Sequence, residues 1–221
     1  MYKENYAVCI VNGKIKDILY YDGLLKSSSL TVCADGGANH LYKTNYKVDC
    51  LVGDMDSIDS DALSYFEKNC EVKKYKREKD YTDSMIAIDL IIEYGIRQIY
   101  MIGAFGDRAD HFLSNVGLLF FARGKDANLV ILDDTNEIFL LSEGKNILHS
   151  SAGQTVSFVP LSDVRCLTLE GFKYPLQEHD VHIGDSRLNS NIAVQKEQTV
   201  SFESGKLLCI NINENEDRMN I

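Results

Sequence analysis

The sequence predicts an α/β domain built on a parallel sheet, followed by a small all-β domain. Up to about residue 134, short apolar runs alternate with segments of helical composition. That alternation is typical of a parallel sheet covered by helices on both faces. Beyond this point the helical period disappears, and short strand-like runs are separated by glycine-containing turns. We therefore predict an α/β/α domain over 1–134 and an all-β domain over 135–221.

The strands of the first domain are predicted from short apolar runs, most of which end in glycine or aspartate. The runs are AVCIV (7–11), LTVCADGG (30–37), CLVGD (50–54), QIYMIGAFG (98–106) and NLVILDD (128–134). Consecutive apolar residues are typical of strands that are buried on both faces. The charged segment EVKKYKREKD (71–80) lacks that character, and we predict that it forms an outer strand.

The helices of the first domain are predicted from apolar periodicity and from signals at their ends. Segment 82–95 has Thr82 as a candidate N-cap, a broad apolar face, and Gly95 as a candidate C-cap. The other segments of helical composition are 17–27, 38–46, 59–69 and 109–124.

The second domain is predicted to contain strands alone. Its strand-like segments are 137–144, 145–151, 154–162, 164–171, 172–177, 191–205 and 206–212. Short strands with frequent turns and no helical period are typical of a small sandwich or barrel.

Composition narrows the class of protein. The 221 residues are 45% hydrophobic and 25% charged, as in an ordinary globular protein, and the net charge of −10 excludes a basic nucleic-acid footprint. No apolar run approaches the ~20 residues of a membrane helix. The N-terminal segment MYKENYAVCIVNG is predicted to enter the first strand rather than to be a signal peptide. Six cysteines without CxxC spacing predict buried, reduced thiols and a cytoplasmic location.

Polar motifs follow several predicted strands of the first domain. They are ADGGANH (34–40), GDMDS (53–57) and GAFGDRADH (103–111), and a fourth polar motif, KDYTD (79–83), opens a predicted helix. Ligands of open parallel sheets bind at the carboxyl ends of the strands, so these motifs can meet at one rim. In an extended chain Asp54 and Asp56 point to the same side. Joined by Asp80 or Asp83, they predict an oxygen site suited to Mg²⁺ and to substrate phosphates.

Turn chemistry is the alternative interpretation of each acidic motif taken alone. Aspartate beside glycine is frequent in turns, and Asp59 and Asp61 are better explained as residues at the start of a helix. The concentration of acids at several strand ends is what favours a metal site over isolated turns.

Two further motifs are candidates for phosphate binding. The segment 35–37, Asp-Gly-Gly, allows the backbone to approach a ligand, although an ordinary βα turn is the alternative. Arg108, beside Asp107, Asp110 and His111, can clamp a phosphate or serve as an ion-pair partner. Neither a Walker A sequence nor GxGxxG occurs, so P-loop and dinucleotide-binding classes are not supported.

Taken together, these motifs resemble the thiamine pyrophosphokinase family. The matching segments are ADGGANHLY (34–42), LVGDMDSI (51–58), KDYTDSMIAI (79–88), IGAFGDRADHFLSNVGLL (102–119), VSFVPLS (156–162), GFKYPL (171–176) and SN (190–191). The resemblance is collinear and covers nearly the whole chain. It implies an α/β catalytic domain that binds ATP and Mg²⁺, followed by a β-sandwich domain that binds thiamine. It also implies transfer of a pyrophosphoryl group from ATP to the hydroxyl of thiamine, giving thiamine diphosphate and AMP.

The resemblance further implies residue roles and an assembly. Asp54, Asp56 and Asp83 would hold Mg²⁺ and act in catalysis together with Arg108. The nucleotide site would comprise Asp35, Gly36, Gly37, Asn39, Asp80, Thr82, Arg108, Asp110 and His111. Ser190 and Asn191 would contact thiamine, held in a homodimer between the catalytic domain of one subunit and the β-domain of the other.

Two departures from the family pattern stand out. Asp107 occupies the place of a second glycine, and Ile192 follows Ser-Asn where an acid is usual. Neither departure removes an implied metal ligand.

Two other functions stay open at this stage. One is a related pyrophosphokinase for another small alcohol, such as a hydroxymethylpterin. The other is a non-catalytic module that binds thiamine or a nucleotide. The second would require a lost metal ligand, and each implied ligand is present in this sequence.

Overall fold

A computed structural model describes residues 5–78 and 80–213. They form two compact units, one that extends to Asp134 and one that begins at Thr135. The predicted fold class is confirmed, since the first unit is an α/β structure on a parallel sheet and the second is all-β. Lys79 of the KDYTD motif and residues 214–221 of the predicted second domain lie outside the described residues.

The first unit is built on six parallel strands. They are β1 (Tyr6–Ile10), β2 (Leu30–Ala34), β3 (Cys50–Gly53), β4 (Glu71–Lys74), β5 (Gln98–Ile102) and β6 (Asn128–Leu132). Their spatial order is β6-β5-β1-β2-β3-β4. Every residue of β1 and of β5 is buried, which is the expected result for strands covered on both faces. The charged strand β4 lies at the edge, as predicted from its sequence.

In the described part of the chain, four α-helices accompany this sheet. They are α1 (Asp22–Lys26), α2 (Ser60–Asn69), α3 (Asp83–Glu93) and α4 (Ala109–Gly124). The predicted N-cap of α3 is confirmed, because the Thr82 hydroxyl accepts a hydrogen bond of 3.2 Å from the backbone N–H of Met85. The helix ends at Glu93 with Tyr94 as its C-cap, and the predicted C-cap Gly95 follows with a φ of 82°. None of the described helices has the length and apolar character needed to cross a membrane.

Two helical segments differ from the prediction. The segment 38–46 does not begin an α-helix; instead a 3-10 helix spans Asp35–His40 and turns follow it. Inside the segment Lys43 has a φ of 63°, and an α-helix cannot continue through a residue in this left-handed conformation. The predicted helix 17–27 is likewise reduced to a 3-10 turn, Ile18–Tyr21, and the short helix α1.

The core of the first unit contains the reduced thiols that the sequence predicts. All six cysteines of the chain are free, and Cys9, Cys33 and Cys50 are buried in adjacent strands of this sheet. Burial raises the pKa of the Cys9 thiol to about 12, so this thiol stays protonated and unreactive at neutral pH.

The second unit consists of two antiparallel sheets. Its strands are β7 (Asn136–Leu140), β8 (Gly144–Leu148), β9 (Thr155–Pro160), β10 (Val164–Glu170), β11 (Leu176–Val181), β12 (Asn191–Ile192), β13 (Gln198–Phe202) and β14 (Leu207–Ile212). One sheet has the order β12-β9-β14-β7 and the other β11-β10-β13-β8. Side chains from both sheets share one core, in which Phe158 packs edge-on against Phe172 with a distance of 5.4 Å between the ring centroids.

Candidate active site

A cleft of about 530 Å³ lies at the carboxyl edge of the parallel sheet in the first unit. Strand β1 has β2 on one side and β5 on the other, so the order in which successive strands are added to the sheet reverses at β1. Ligands of open α/β sheets bind at such a switch point. Polar residues that line the cleft are Asn12, Asp35, Asp54, Asp56, Ser57, Arg77, Tyr81, Thr82, Asp83, Ser84, Asp107, Arg108, His111, Ser114 and Asn115.

Three carboxylates converge in this cleft. Asp35 follows β2, Asp54 follows β3, and Asp83 is the first residue of α3. Each offers an oxygen, and these oxygens all lie within 4.8 Å of one another. Three negative charges at this separation repel each other, and a bound cation would remove that repulsion. We call Asp35, Asp54 and Asp83 the carboxylate triad.

Asp35 is the most buried member of the triad, with 7% of its surface exposed. Burial raises the pKa of its carboxyl group, and the charge of Asp83 raises it further, while hydrogen bonds from Ser57 and Gly36 oppose the shift. The family resemblance implies that Asp35 belongs to the nucleotide site, and in the structure it lies beside two predicted metal ligands, Asp54 and Asp83. The strand-end pattern could have predicted this position for Asp35, because Asp35 directly follows a strand, as Asp54 does.

Asp56, which the sequence places in the metal site, lies at the rim of the cleft and outside the triad. Its backbone N–H donates a hydrogen bond of 3.2 Å to Asp54, and its carboxylate accepts one of 2.9 Å from the Ser57 hydroxyl. The prediction that Asp54 and Asp56 point to one side assumed an extended chain. Met55 between them has a φ of 67°, so the chain turns there and the two carboxylates diverge.

Gly53 has no side chain, and this absence leaves space for the carboxylate triad. Its φ is 146°, in a region that side chains rarely allow. A β-carbon at this position would lie 2.9 Å from the Asp35 β-carbon and 3.0 Å from a carboxylate oxygen of Asp83. The close approach of these two acids therefore depends on the missing side chain at Gly53.

Arg108 and its neighbours form the opposite rim. Two guanidinium nitrogens of Arg108 donate hydrogen bonds of 3.1 and 2.5 Å to the two carboxylate oxygens of Asp110. This pairing lowers the pKa of Asp110 to about 2. Asp107, one of the departures from the family pattern, forms an ion pair with Lys14. His111 also lines the cleft.

Several lining residues were not predicted from the sequence. They are Asn12, Ser57, Arg77, Tyr81, Ser84, Ser114 and Asn115. Asn12 follows β1, so the strand-end rule that identified the acids could have identified it as well. Asn115 is buried in α4, and its amide donates a hydrogen bond of 3.1 Å to the backbone oxygen of Ala104, which fixes the loop after β5.

Other predicted residues shape the cleft without lining it. Asn39 accepts a hydrogen bond of 3.0 Å from the backbone N–H of Asp59 and donates one of 3.2 Å to the backbone oxygen of Ser57. It therefore holds the loop after β3 in place. Gly36 and Gly37 pack closely against the end of β1. Asp80 and Asp110 are exposed, and neither is among the residues that line the cleft.

The predicted thiamine residues lie in the second unit. Asn191 is buried, and its side chain accepts a hydrogen bond of 3.0 Å from the N–H of Tyr174 and donates one of 2.8 Å to the oxygen of the same residue. Ser190 is exposed, has a φ of 56°, and donates its backbone N–H to the Ser157 hydroxyl. The structure thus gives Asn191 a bracing role and leaves Ser190 at the surface.

Comparison with known proteins agrees with this arrangement of motifs. The family model for the thiamin pyrophosphokinase catalytic domain matches residues 21–131, and the model for the vitamin B1 binding domain of the same enzymes matches residues 145–207. A thiamine pyrophosphokinase of Bacillus subtilis is 34% identical over 161 residues, which cover 72% of this chain and 75% of that protein. The chain belongs to the thiamin pyrophosphokinase family.

Solved structures from the thiamin pyrophosphokinase family have the same fold. A crystal structure of the Bacillus subtilis enzyme superposes with a TM-score of 0.87 at 27% identity, covering 96% of this chain and all of that one (100%). A crystal structure of the Geobacillus thermodenitrificans enzyme gives 0.82 at 29% identity, covering 95% and 98% of the two chains. The family predicted from the motifs is therefore confirmed.

Proposed function

We propose that the protein transfers the pyrophosphoryl group of ATP to the hydroxyl of thiamine, releasing thiamine diphosphate and AMP. This activity would serve thiamine diphosphate biosynthesis. The observation that carries the proposal is the carboxylate triad at the strand ends of a chain that belongs to this family. In this proposal the unit up to Asp134 binds ATP and the unit from Thr135 binds thiamine.

Mg²⁺ is the cofactor that best fits the cleft. The triad offers only carboxylate oxygens, which are the ligands that Mg²⁺ prefers, and its buried member Asp35 has a raised pKa that a cation would lower again. When bound, Mg²⁺ neutralises phosphate oxygens and aligns an in-line displacement. We propose that Asp54 and Asp83 hold the ion, that Asp35 joins them, and that Asp56 belongs to the same site from the rim.

The remaining residues of the cleft would bind and orient ATP. Arg108 would bind the phosphates that are transferred, with Asp110 holding its guanidinium in position and His111 beside it. Thr82 would fix the start of α3, where Asp83 lies, through the hydrogen bond that its hydroxyl accepts from Met85. Asp80, in the same motif, would contribute to the nucleotide site, as the family resemblance implies. The packed segment 35–39 would form the base of the nucleotide site, since its two glycines let the backbone approach the end of β1.

Thiamine would be recognised by charge as well as by contact. Its thiazolium ring is cationic, so the acidic cleft attracts it. Ser190 would contact thiamine with its exposed hydroxyl, and Asn191 would support that contact by holding the neighbouring segment at Tyr174. This chain has Ile192 directly after Ser-Asn, where the family pattern usually has an acidic residue.

Product analysis tests the proposed reaction. Purified protein with Mg²⁺, ATP and thiamine is expected to form AMP and thiamine diphosphate in equal amounts, measured by chromatography and phosphorus NMR. ADP with thiamine monophosphate would overturn the reaction type. Turnover of a hydroxymethylpterin with no turnover of thiamine would favour the related pyrophosphokinase. Thiamine binding without any product would favour a binding module.

We also propose a homodimer whose active site lies at the subunit interface. Co-expression of Asp54→Asn with Ser190→Arg tests it, because each variant alone would be inactive while a mixed dimer would keep one intact site. Random mixing is expected to restore about a quarter of wild-type activity. Light scattering should give about twice the 24.9 kDa of one chain. Co-expressed variants that form dimers without regaining activity would contradict the shared site.

We propose a cytoplasmic location as well. Six free cysteines, three of them buried side by side in the parallel sheet, suit a reducing compartment.

A further inference from the structure

The loop between β4 and α3 brings a second guanidinium to the cleft. Arg77 and Tyr81 of this loop both line the cleft, and the Arg77 side chain is 82% exposed. Its neighbour Lys76 is also exposed but does not line the cleft. The family resemblance implies no role for Arg77, and Arg77 has no part in the function proposed above.

The charges of the cleft leave Arg77 available for a ligand. Among the described residues, five carboxylates and two guanidinium groups line this cleft, and the guanidinium of Arg108 is held by Asp110 through two hydrogen bonds. The guanidinium of Arg77 lies 3.6 Å from a carboxylate oxygen of Asp56. That separation is longer than a hydrogen bond, and within the described part of the chain no other carboxylate lies as close to this group.

The position of Asp56 connects Arg77 to the triad. The Asp56 backbone N–H donates to Asp54, so Arg77 faces the same strand end that supplies a triad carboxylate. Asp56 keeps its hydrogen bond from the Ser57 hydroxyl when Arg77 moves away, so the carboxylate retains a partner. An exposed ion pair of this kind is weak, whereas an arginine can bind a phosphate with two parallel charge-assisted hydrogen bonds.

We propose that Arg77 binds the β- and γ-phosphates of ATP, exchanging its contact with Asp56 for contacts with phosphate oxygens. This inference rests on the proposed function, which supplies ATP as the ligand of the cleft. AMP has neither of these phosphates, so Arg77 distinguishes the substrate nucleotide from the product. Its contribution to affinity is therefore present for ATP and lost once the pyrophosphoryl group has left.

Nucleotide binding by Arg77→Ala tests the proposal, with Lys76→Ala as the matched control. Calorimetry with Mg²⁺ is expected to show ATP affinity lowered about tenfold or more in Arg77→Ala, the size of one charge-assisted hydrogen bond. Its AMP affinity should stay within about twofold of wild type, and Lys76→Ala should bind both nucleotides normally. Arg77→Lys should recover part of the ATP affinity, since lysine supplies the charge without the planar fork.

Several outcomes would overturn this role. One is wild-type ATP affinity in Arg77→Ala, and another is an equal loss of ATP and AMP affinity, which would indicate a general effect on the cleft. Circular dichroism and melting temperature should be unchanged, because the side chain is 82% exposed. Wild-type protein that binds ATP but makes no thiamine diphosphate would overturn the proposed function alone, since the binding comparison still decides the role of Arg77. Wild-type protein that binds no ATP would overturn both.

Discussion

Asp54→Asn is expected to lower kcat with ATP and thiamine about 1,000-fold, the loss that follows removal of a main electrostatic contribution in an enclosed site. Asparagine keeps the shape of the side chain and removes one of the three charges that converge within 4.8 Å. In the absence of metal this change relieves repulsion, so the melting temperature should stay equal or rise. Stabilisation by added Mg²⁺ should disappear, because the ion binds the folded triad and not the unfolded chain.

Asp107→Asn is the matched control for this prediction. It makes the same substitution in the same cleft, but the Asp107 carboxylate is 82% exposed and paired with Lys14. Exposed ion pairs contribute little, so kcat should change by less than about threefold and stabilisation by Mg²⁺ should persist. Wild-type Mg²⁺ stabilisation in Asp54→Asn would show that the triad is not the metal site, whatever happens to kcat.

Much of the fold could be predicted because its signals are local. Helices α3 and α4 carry their own apolar faces, and the strands of the parallel sheet carry continuous apolar runs. The segment 38–46 could not be predicted in this way. Its chain leaves the helical conformation at Lys43, which has a φ of 63°, and neither its composition nor its apolar pattern encodes that turn.

The site residues that could be predicted are mainly those that directly follow strands of the parallel sheet. The strand-end rule found Asp54 and Arg108, and the KDYTD motif at the start of a predicted helix added Asp83; all three line the cleft. The rule does not determine how Asp35 and Asp56 are oriented within the cleft, because their side-chain directions depend on backbone turns. Asp35 has a φ of 46° and Met55 a φ of 67°, values that apolar period and charge pattern do not encode.

The roles of loop residues and of buried amides could not be predicted from the sequence. Arg77 belongs to a charged stretch that resembles an ordinary solvated loop, and only the folded chain brings it beside Asp56. Asn191 lies in a motif that suggests ligand contact, yet its amide is used to hold Tyr174. A polar residue in a motif can thus act on the ligand or on the residues that surround it, and the hydrogen-bond partners distinguish the two.

Gly53→Ala is expected to disrupt the triad without removing any of its charges. The new β-carbon would lie 2.9 Å from Asp35 and 3.0 Å from Asp83, at a φ of 146°. Relief requires the two acids to move apart, so the Mg²⁺ concentration for half-maximal activity should rise and kcat should fall about 100-fold. Backbone strain and overpacking should also lower the free energy of unfolding by about 2 to 4 kcal/mol.

Gly117→Ala separates the effect on the triad from the general effect of adding a methyl group. Gly117 lies in α4 with no heavy atom within 4 Å of an added β-carbon, so alanine should raise the free energy of unfolding by about 0.5 to 1 kcal/mol and leave kcat unchanged. Denaturant unfolding with and without Mg²⁺ measures both variants on one scale. A Gly53→Ala protein that loses stability but keeps its wild-type Mg²⁺ dependence would contradict the idea that this glycine holds the triad together. In that case the space at Gly53 would serve folding alone, and the convergence of Asp35 and Asp83 would have to follow from the start of α3, where the Thr82 cap fixes the chain.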